Sequence, residues 1–127
     1  MNISRQLDTL LQDFPNCETV AFADISTGLV LCSSARKTMS RGQLDTLCAA
    51  AIELLDGKQA SLASATLDPN GNAKVQEALL MEDGLLNIFV RSSVVSTEAL
   101  CCICVPEIEI DSFIDRACSE LANFDTD

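Results

Sequence analysis

The residues best suited to chemistry are the closely spaced cysteines Cys101, Cys102 and Cys104. Neighbouring thiols suit metal binding or redox chemistry. On a β-strand, however, adjacent side chains point to opposite faces, so Cys101 is predicted to face away from Cys102 and Cys104. Two thiols on one face do not make up the tetrahedral ligand set of a structural zinc site. We therefore interpret this group as core packing, because a free cysteine behaves as a small apolar side chain.

The remaining cysteines also favour buried, reduced thiols. Cys32, Cys48 and Cys118 stand inside apolar patterns, and Cys17 has a loop-like setting. The total of seven is odd, the N-terminus has no apolar signal core, and no apolar run is long enough for a membrane helix. We expect a cytoplasmic protein whose thiols are not paired in disulfides.

No catalytic, cofactor-binding or metal-binding residue is predicted. Histidine, tryptophan and tyrosine are absent, which removes the commonest general base, the commonest metal ligand and most stacking platforms. The segment DPNGN at 68–72 lacks the rest of a calcium loop and is interpreted as a turn. No pair of carboxylates has a spacing that indicates acid and base roles, and a solvated face is expected for Asp24, Glu53, Asp56, Glu77, Glu82 and Asp83.

The charge of the chain restricts its partners. Nineteen acidic and eight basic side chains give a formal charge of -11, so nucleic acid and anionic membranes are expected to be repelled. Three of the eight cations, Arg36, Lys37 and Arg41, are gathered before and within the first turn of a predicted helix. Cations oppose the dipole there, so they are candidate contacts for an acidic partner or a nucleotide phosphate. The alternative is a solvated basic loop.

The first half of the chain predicts a helix, a strand hairpin and a second helix. Apolar residues at helical spacing run from Ile3 to Phe14, and strand-like runs within Cys17–Ser34 flank the turn residues 24–28. Ser40 and Gln43 have the spacing of a capping box, and the helix they begin should end near Asp56-Gly57.

The second half predicts three strands and a closing helix. Strands at 74–82 and 85–92 are joined by Asp83-Gly84, a strong hairpin signal. The run 98–105 is apolar on both faces and so central in its sheet, and a helical pattern follows from Ile110 to Leu121. With 48% hydrophobic residues, 1–124 should form a single domain followed by an acidic tail at 125–127. This order predicts an α+β fold of three layers, α/β/α, with a five-stranded antiparallel sheet like those of profilin and longin domains.

The second helix is too apolar for one buried stripe. Its apolar residues cover roughly 200°, whereas packing on one sheet requires roughly 100°. A second subunit would cover the surplus, and the small Ala49 and Ala50 would allow close approach; the alternative is that 58–73 folds over the helix. The predicted dimer interface combines this helix with the strand at 74–82, through Leu47, Ala50, Ala51, Leu54, Val75, Glu77 and Leu79.

Four segments together resemble the Roadblock/dynein light chain superfamily, in its stand-alone bacterial form. They are VAFADISTGLVLCSSA with its turn glycine Gly28, LDTLCAAAIELLDG, ALLMEDGLLNIFVRS and EALCCICV. The resemblance implies a cytoplasmic homodimer that pairs its third strands into one continuous sheet, with the second helices side by side. It also implies a non-catalytic scaffold or regulator of a small Ras-like GTPase. The alternative is a small-ligand or thiol-based sensor on the same fold, and 58–73 is longer than a minimal member needs.

Overall fold

Three helices and five strands are present in residues 3–57 and 75–124, the part of the chain that the computed structural model describes. Their order is the predicted one. The elements are α1 (Ile3–Asp13), β1 (Cys17–Asp24), β2 (Leu29–Ala35), α2 (Arg41–Asp56), β3 (Glu77–Glu82), β4 (Leu85–Arg91), β5 (Glu98–Cys104) and α3 (Ile110–Phe124). The predicted loop at 58–73, the turn at 68–72 and the tail at 125–127 lie outside the described residues.

All strand pairs in the described sheet are antiparallel, in the order β2-β1-β5-β4-β3. The doubly apolar run that predicted a central strand is β5, and its position between β1 and β4 confirms that prediction. The two outer strands are β2 and β3. Each therefore has one edge that is not paired within the described sheet.

Tight turns join the hairpins as predicted. Asp83 and Gly84 have φ values of 54° and 78°, the left-handed conformation that a two-residue hairpin turn requires. In the first hairpin, the Asp24 carboxylate accepts hydrogen bonds from the Ser26 backbone N at 2.9 Å and from Ser26 Oγ at 2.6 Å. The hydrogen bond from the Ser26 hydroxyl lowers the pKa of the Asp24 carboxyl.

The helices cover both faces of the sheet, which confirms the three-layer fold. Helices α1 and α3 pack on one face, where Leu7, Phe22 and Phe113 are buried in one core. Helix α2 packs on the other face, over the small side chains of Ala21 and Ala99. Small residues at those positions let a helix lie close to the strands.

The cysteines of β5 lie on the predicted faces of the sheet, but the predicted settings of Cys17 and Cys118 were wrong. Cys101 lies in the core under α2, whereas Cys102 and Cys104 lie in the core under α1 and α3. Cys17 was expected in a loop-like setting, but it begins β1, faces Cys104 across the β1–β5 pair and is fully buried. Cys118 was expected inside an apolar pattern, but it is exposed because α3 buries only one stripe of its surface.

Helix α2 begins at the predicted capping box. Ser40 Oγ accepts a hydrogen bond from the Gln43 backbone N at 3.1 Å, and Gln43 Oε1 accepts one from the Ser40 backbone N at 2.9 Å. The helix ends at Gly57, as predicted. The backbone of this glycine is extended, with φ of -70° and ψ of 178°, and not left-handed. Glycine fits there because a Cβ at residue 57 would lie 2.2 Å from the carbonyl oxygen of Glu53.

Candidate interaction surface

The inner face of α2 is occupied by the protein's own core. Leu47 and Ala51 were predicted at the dimer interface, yet they are 5% and 0% exposed and pack against the sheet. This is a correction to the predicted set. The apolar arc of α2 is wider than the stripe that packs on the sheet and wider than the stripe that a second subunit would cover. The arc alone therefore could not show which of its residues face the sheet.

One flank of α2 retains apolar surface. Ala50 and Leu54 are half-buried at the margin of the core under α2, whereas the exposed Ala49 lies about 100° away around the helix and outside this flank. On the opposite flank, the Ile52 side chain lies beside the Gly28 turn. The unused apolar surface of α2 is therefore narrower than the sequence suggested, and it is centred on Ala50 and Leu54.

The outer edge of β3 adjoins this flank. Val75, just before β3, packs against the same core as Ala50 and Leu54. Within the strand, Ala78 and Leu80 pack on the α2 side, so the exposed side chains of Glu77 and Leu79, which were predicted at the dimer interface, lie on the sheet face towards α3. Strand β3 therefore contributes its backbone edge, and not these two side chains, beside the α2 flank. Strand β3 pairs only with β4, so its other edge has no partner strand within residues 3–57 and 75–124. We call the α2 flank and the β3 edge together the α2/β3 surface.

A groove of about 590 Å³ lies beside this surface, between α2 and the neighbouring strands. It is lined by Met39, Ser40, Gly42, Gln43, Thr46, Leu47, Ala50, Glu82, Asn87 and Ile103. Ser40 and Gln43 are used in the capping box, and Thr46 Oγ1 donates to the Gly42 carbonyl at 2.9 Å. The groove brings together the Asn87 amide, the Glu82 carboxylate and apolar side chains. This lining suits packing against a partner better than catalysis.

Arg91 at the end of β4 ties the two parts of the α2/β3 surface together. Its guanidinium is 1% exposed and donates to the carbonyls of Val75 at 2.8 Å, Ser96 at 2.7 Å and Leu55 at 2.8 Å. It also forms an ion pair of 2.6 Å with the Asp56 carboxylate. One side chain thus holds the C-terminus of α2 against the segment that leads into β3.

No local sequence pattern indicated this role. Arg91 ends the strand LLNIFVR, where a charged residue normally marks the exposed end of a strand. The acceptors come from positions up to 36 residues away, so only the assembled fold brings them together.

The predicted basic cluster is divided by the fold. Arg36 donates to the carbonyls of Leu11, Phe14 and Cys17, which fixes it at the C-terminus of α1. Arg41 lies on α2, across the sheet from α1, and forms an exposed ion pair of 3.5 Å with Asp45. Arg36 is therefore anchored as a helix cap although the residue is exposed, and Lys37 and Arg41 are exposed as well.

Thiol chemistry is unfavourable at the buried cysteines. Burial raises the pKa of Cys101 and Cys102, and a hydrogen bond with Cys17, together with burial, raises that of Cys104. A reactive or sensing cysteine requires the opposite shift. Within residues 3–57 and 75–124, no group of three or more cysteine, aspartate or glutamate side chains is placed to hold a metal ion. No helix of the described residues is long and apolar enough to cross a membrane.

Comparisons with known proteins identify the fold. No family model and no curated protein matches the sequence. The Roadblock/LC7 domain from Streptomyces avermitilis superposes with a TM-score of 0.74, covering 97% of this chain and 94% of that domain at 15% identity. The gliding protein MglB from Thermus thermophilus superposes with a TM-score of 0.69, covering 95% and 86% at 17% identity.

MglC from Myxococcus xanthus has the same fold, with a TM-score of 0.60 over 97% of this chain and 96% of its own, at 10% identity. These similarities show that the chain has the Roadblock/LC7 fold. The family resemblance found in the sequence is thus confirmed at the level of the fold.

Proposed function

We propose that this chain, with its Roadblock/LC7 fold, is a non-catalytic homodimer that regulates or scaffolds a small Ras-like GTPase in the cytoplasm. The observation that carries the proposal is the α2/β3 surface, where an unpaired strand edge adjoins an apolar helix flank. These are the two elements through which the resemblance joins two protomers.

The α2/β3 surface is suited to two-fold pairing. Two β3 strands related by a two-fold axis can pair antiparallel, which satisfies the free backbone groups of both edges. The same axis would bring Ala50 of one protomer close to Ala50 of the other, and alanine allows the helices to approach closely. Arg91 keeps both elements in fixed relative positions, so the surface is organised before a second copy binds.

The GTPase partner is inferred from the family resemblance. The solved structures with this fold include the gliding protein MglB, at 17% identity, and MglC, at 10% identity. In this chain, Lys37 and Arg41 are exposed cations near the N-terminus of α2. On a chain with a formal charge of -11, they offer a local attraction for an acidic partner surface.

Capture with the purified full-length protein tests this proposal. The bait is incubated with lysate of its native host in the presence of GDP or of a non-hydrolysable GTP analogue, and bound proteins are identified by mass spectrometry. A Ras-like GTPase enriched in one nucleotide state, which then binds the bait as purified protein, is the expected result. Binding of no GTPase in either state contradicts the proposal.

A charge series then tests the contact. Replacing Lys37 and Arg41 together by glutamate should slow association with that GTPase in a salt-sensitive way, and replacement by glutamine should have a smaller effect. An association rate in low salt that is the same for all three proteins would exclude these cations from the contact.

A further inference from the structure

A second cleft lies on the opposite face of the sheet from α2, between β3 and the first turns of α3. Its volume is about 510 Å³, and Leu79, Ile110 and Ile114 supply its apolar lining. Leu79 is 49% exposed, although it belongs to a strand. Met81 follows two positions along β3, on the same face, and is 59% exposed. These neighbouring side chains form an apolar patch at the margin of the core.

The rim of this cleft is acidic. Glu77, Asp111 and Asp115 line it, and no cation does so among the described residues. Asp111 lies in the first turn of α3, where a carboxylate stabilises the helix. Glu77 and Asp115 have no such role, and neither forms an ion pair within residues 3–57 and 75–124.

The exposed thiol of Cys118 is also affected by the negative charges at this rim. Desolvation, followed by the negative charges of Glu77 and Asp115, raises the pKa of this thiol. Both carboxylates therefore act on one small region, at the side of the apolar patch. Cys118 is exposed and lies one helical turn beyond Ile114 and Asp115 on α3, so its thiol serves as a reporter for this end of the cleft.

We propose that this cleft docks a basic amphipathic helix of a partner protein. The apolar side of that helix covers Leu79 and Ile114, and its lysine or arginine side chains pair with Glu77 and Asp115 at the rim. An amphipathic helix in an apolar groove is a common mode of recognition, in which apolar anchors recur at i, i+3, i+4 and i+7.

Charge decides between the available occupants. A second copy of this chain carries the same formal charge of -11 and the same acidic rim, so two such clefts repel each other. Nucleic acid and anionic lipid are repelled for the same reason. An added β-strand would use the edge of β3, whereas this cleft lies on its face. A cationic helix satisfies both the apolar lining and the acidic rim.

The proposal is independent of the GTPase and goes beyond it. Pairing of two β3 strands uses backbone groups at the strand edge and leaves the face towards α3 open. The α2/β3 surface and this cleft can therefore be occupied at the same time. Loss of dimerisation and loss of helix docking are separate measurements, so failure of one proposal is distinguishable from failure of the other.

The test uses a synthetic helical peptide with leucines at i, i+3, i+4 and i+7 and lysines at the other positions. Its binding to the full-length protein is followed by fluorescence anisotropy. Two cleft variants, Leu79→Ser and Asp115→Lys, are compared with matched variants outside the cleft, Leu29→Ser and Glu53→Lys. Leu29 is 50% exposed on the opposite edge strand, and Glu53 is an exposed acid on the helix across the sheet.

Each cleft variant should weaken peptide binding about fivefold or more, because it removes an apolar contact or reverses a rim charge. The matched variants should change binding by less than about twofold. In the unchanged protein, bound peptide should also slow alkylation of Cys118, a result that does not depend on the folding of any variant.

Three results would overturn the proposal. The first is equal weakening by cleft and matched variants, which would indicate general attraction to an acidic surface. The second is alkylation of Cys118 at the same rate with and without bound peptide. The third is a change of oligomeric state in Leu79→Ser with unchanged peptide affinity, which would assign the cleft to a second copy of the chain.

Discussion

Among the described residues, arginine side chains donate to the final carbonyls of two helices, Arg36 at the C-terminus of α1 and Arg91 at the C-terminus of α2. The final carbonyls of a helix have no partner within the helix, and a cation there also interacts favourably with the helix dipole. Arg91 is the more demanding case, because its guanidinium is 1% exposed. A charge buried to that degree is stable only while its acceptors stay in place.

Arg91→Met tests this interpretation. The change leaves the carbonyls of Val75 and Leu55 without their donor, so we expect a loss of about 3 kcal/mol or more in the free energy of unfolding. Urea denaturation measures it. Arg41→Met is the control, because Arg41 forms an exposed pair with Asp45 that contributes under about 1 kcal/mol. Equal losses in the two variants would contradict a special role for Arg91.

The paired thiols under α1 and α3 are interpreted as packing. Changing Cys102 and Cys104 together to alanine should lower the free energy of unfolding by about 1 to 3 kcal/mol, since both side chains are buried. The alternative, a metal site, is tested by metal analysis of the native and variant proteins. Stoichiometric zinc or iron that disappears in the variant would overturn the packing interpretation.

The raised thiol pKa values also predict loss of stability in alkali. The folded protein keeps Cys101, Cys102 and Cys104 protonated above the ordinary pKa of 9.0, whereas the unfolded chain releases those protons. Stability should therefore be constant with respect to these groups below about pH 9 and fall above it, by up to about 1.4 kcal/mol per pH unit for each thiol.

Urea denaturation at a series of pH values measures this slope. The Cys102→Ala, Cys104→Ala double variant is the control, and its decline above about pH 9 should be shallower. Identical slopes in the two proteins would show that these thiols ionise equally in the folded and unfolded states.

At the scale of elements, local signals predicted most boundaries, although the strand predicted over 74–82 begins only at Glu77. The Asp83-Gly84 turn adopts the left-handed conformation that its residue types favour. Ser40 and Gln43 form the predicted capping box, because that motif depends on residues only three positions apart. The doubly apolar run at β5 indicated a central strand, since only such a strand is covered on both faces.

Properties that depend on tertiary contacts were not predictable in this way. The apolar arc of α2 did not show that Leu47 and Ala51 face the sheet. Proximity in sequence grouped Arg36 with Arg41, but the β-strand before Arg36 directs it to α1. The hydrogen bonds of Arg91 reach Val75 and Leu55, which are 16 and 36 residues away, and no local pattern encodes them.

Arg36→Gln should loosen α1 without affecting α2. The variant loses donors to the carbonyls of Leu11, Phe14 and Cys17, so amide hydrogen exchange should accelerate in α1 and at the start of β1. A fall of about 1 to 2 kcal/mol in the free energy of unfolding is expected. Lys37→Gln, at the neighbouring exposed position, is the control. If both variants exchange alike, Arg36 does not cap α1.

At the scale of the whole molecule, β3 contributes to two different surfaces. Its edge belongs to the α2/β3 surface, and its face towards α3 belongs to the acidic cleft. A strand can serve both because its backbone groups and its side chains point in different directions. A dimer built through the edges would carry two clefts related by the same two-fold axis.

Sedimentation equilibrium of the 127-residue chain at micromolar concentration tests the central claim most directly. We predict twice the mass of one 13.6 kDa chain, and a shift towards monomer for Ala50→Glu, which places a charge on the apolar flank of α2. Ala49→Glu, at the adjacent exposed position, is the matched control and should perturb the dimer less. A monomer at that concentration for the unchanged chain would contradict the α2/β3 surface as a homodimer interface.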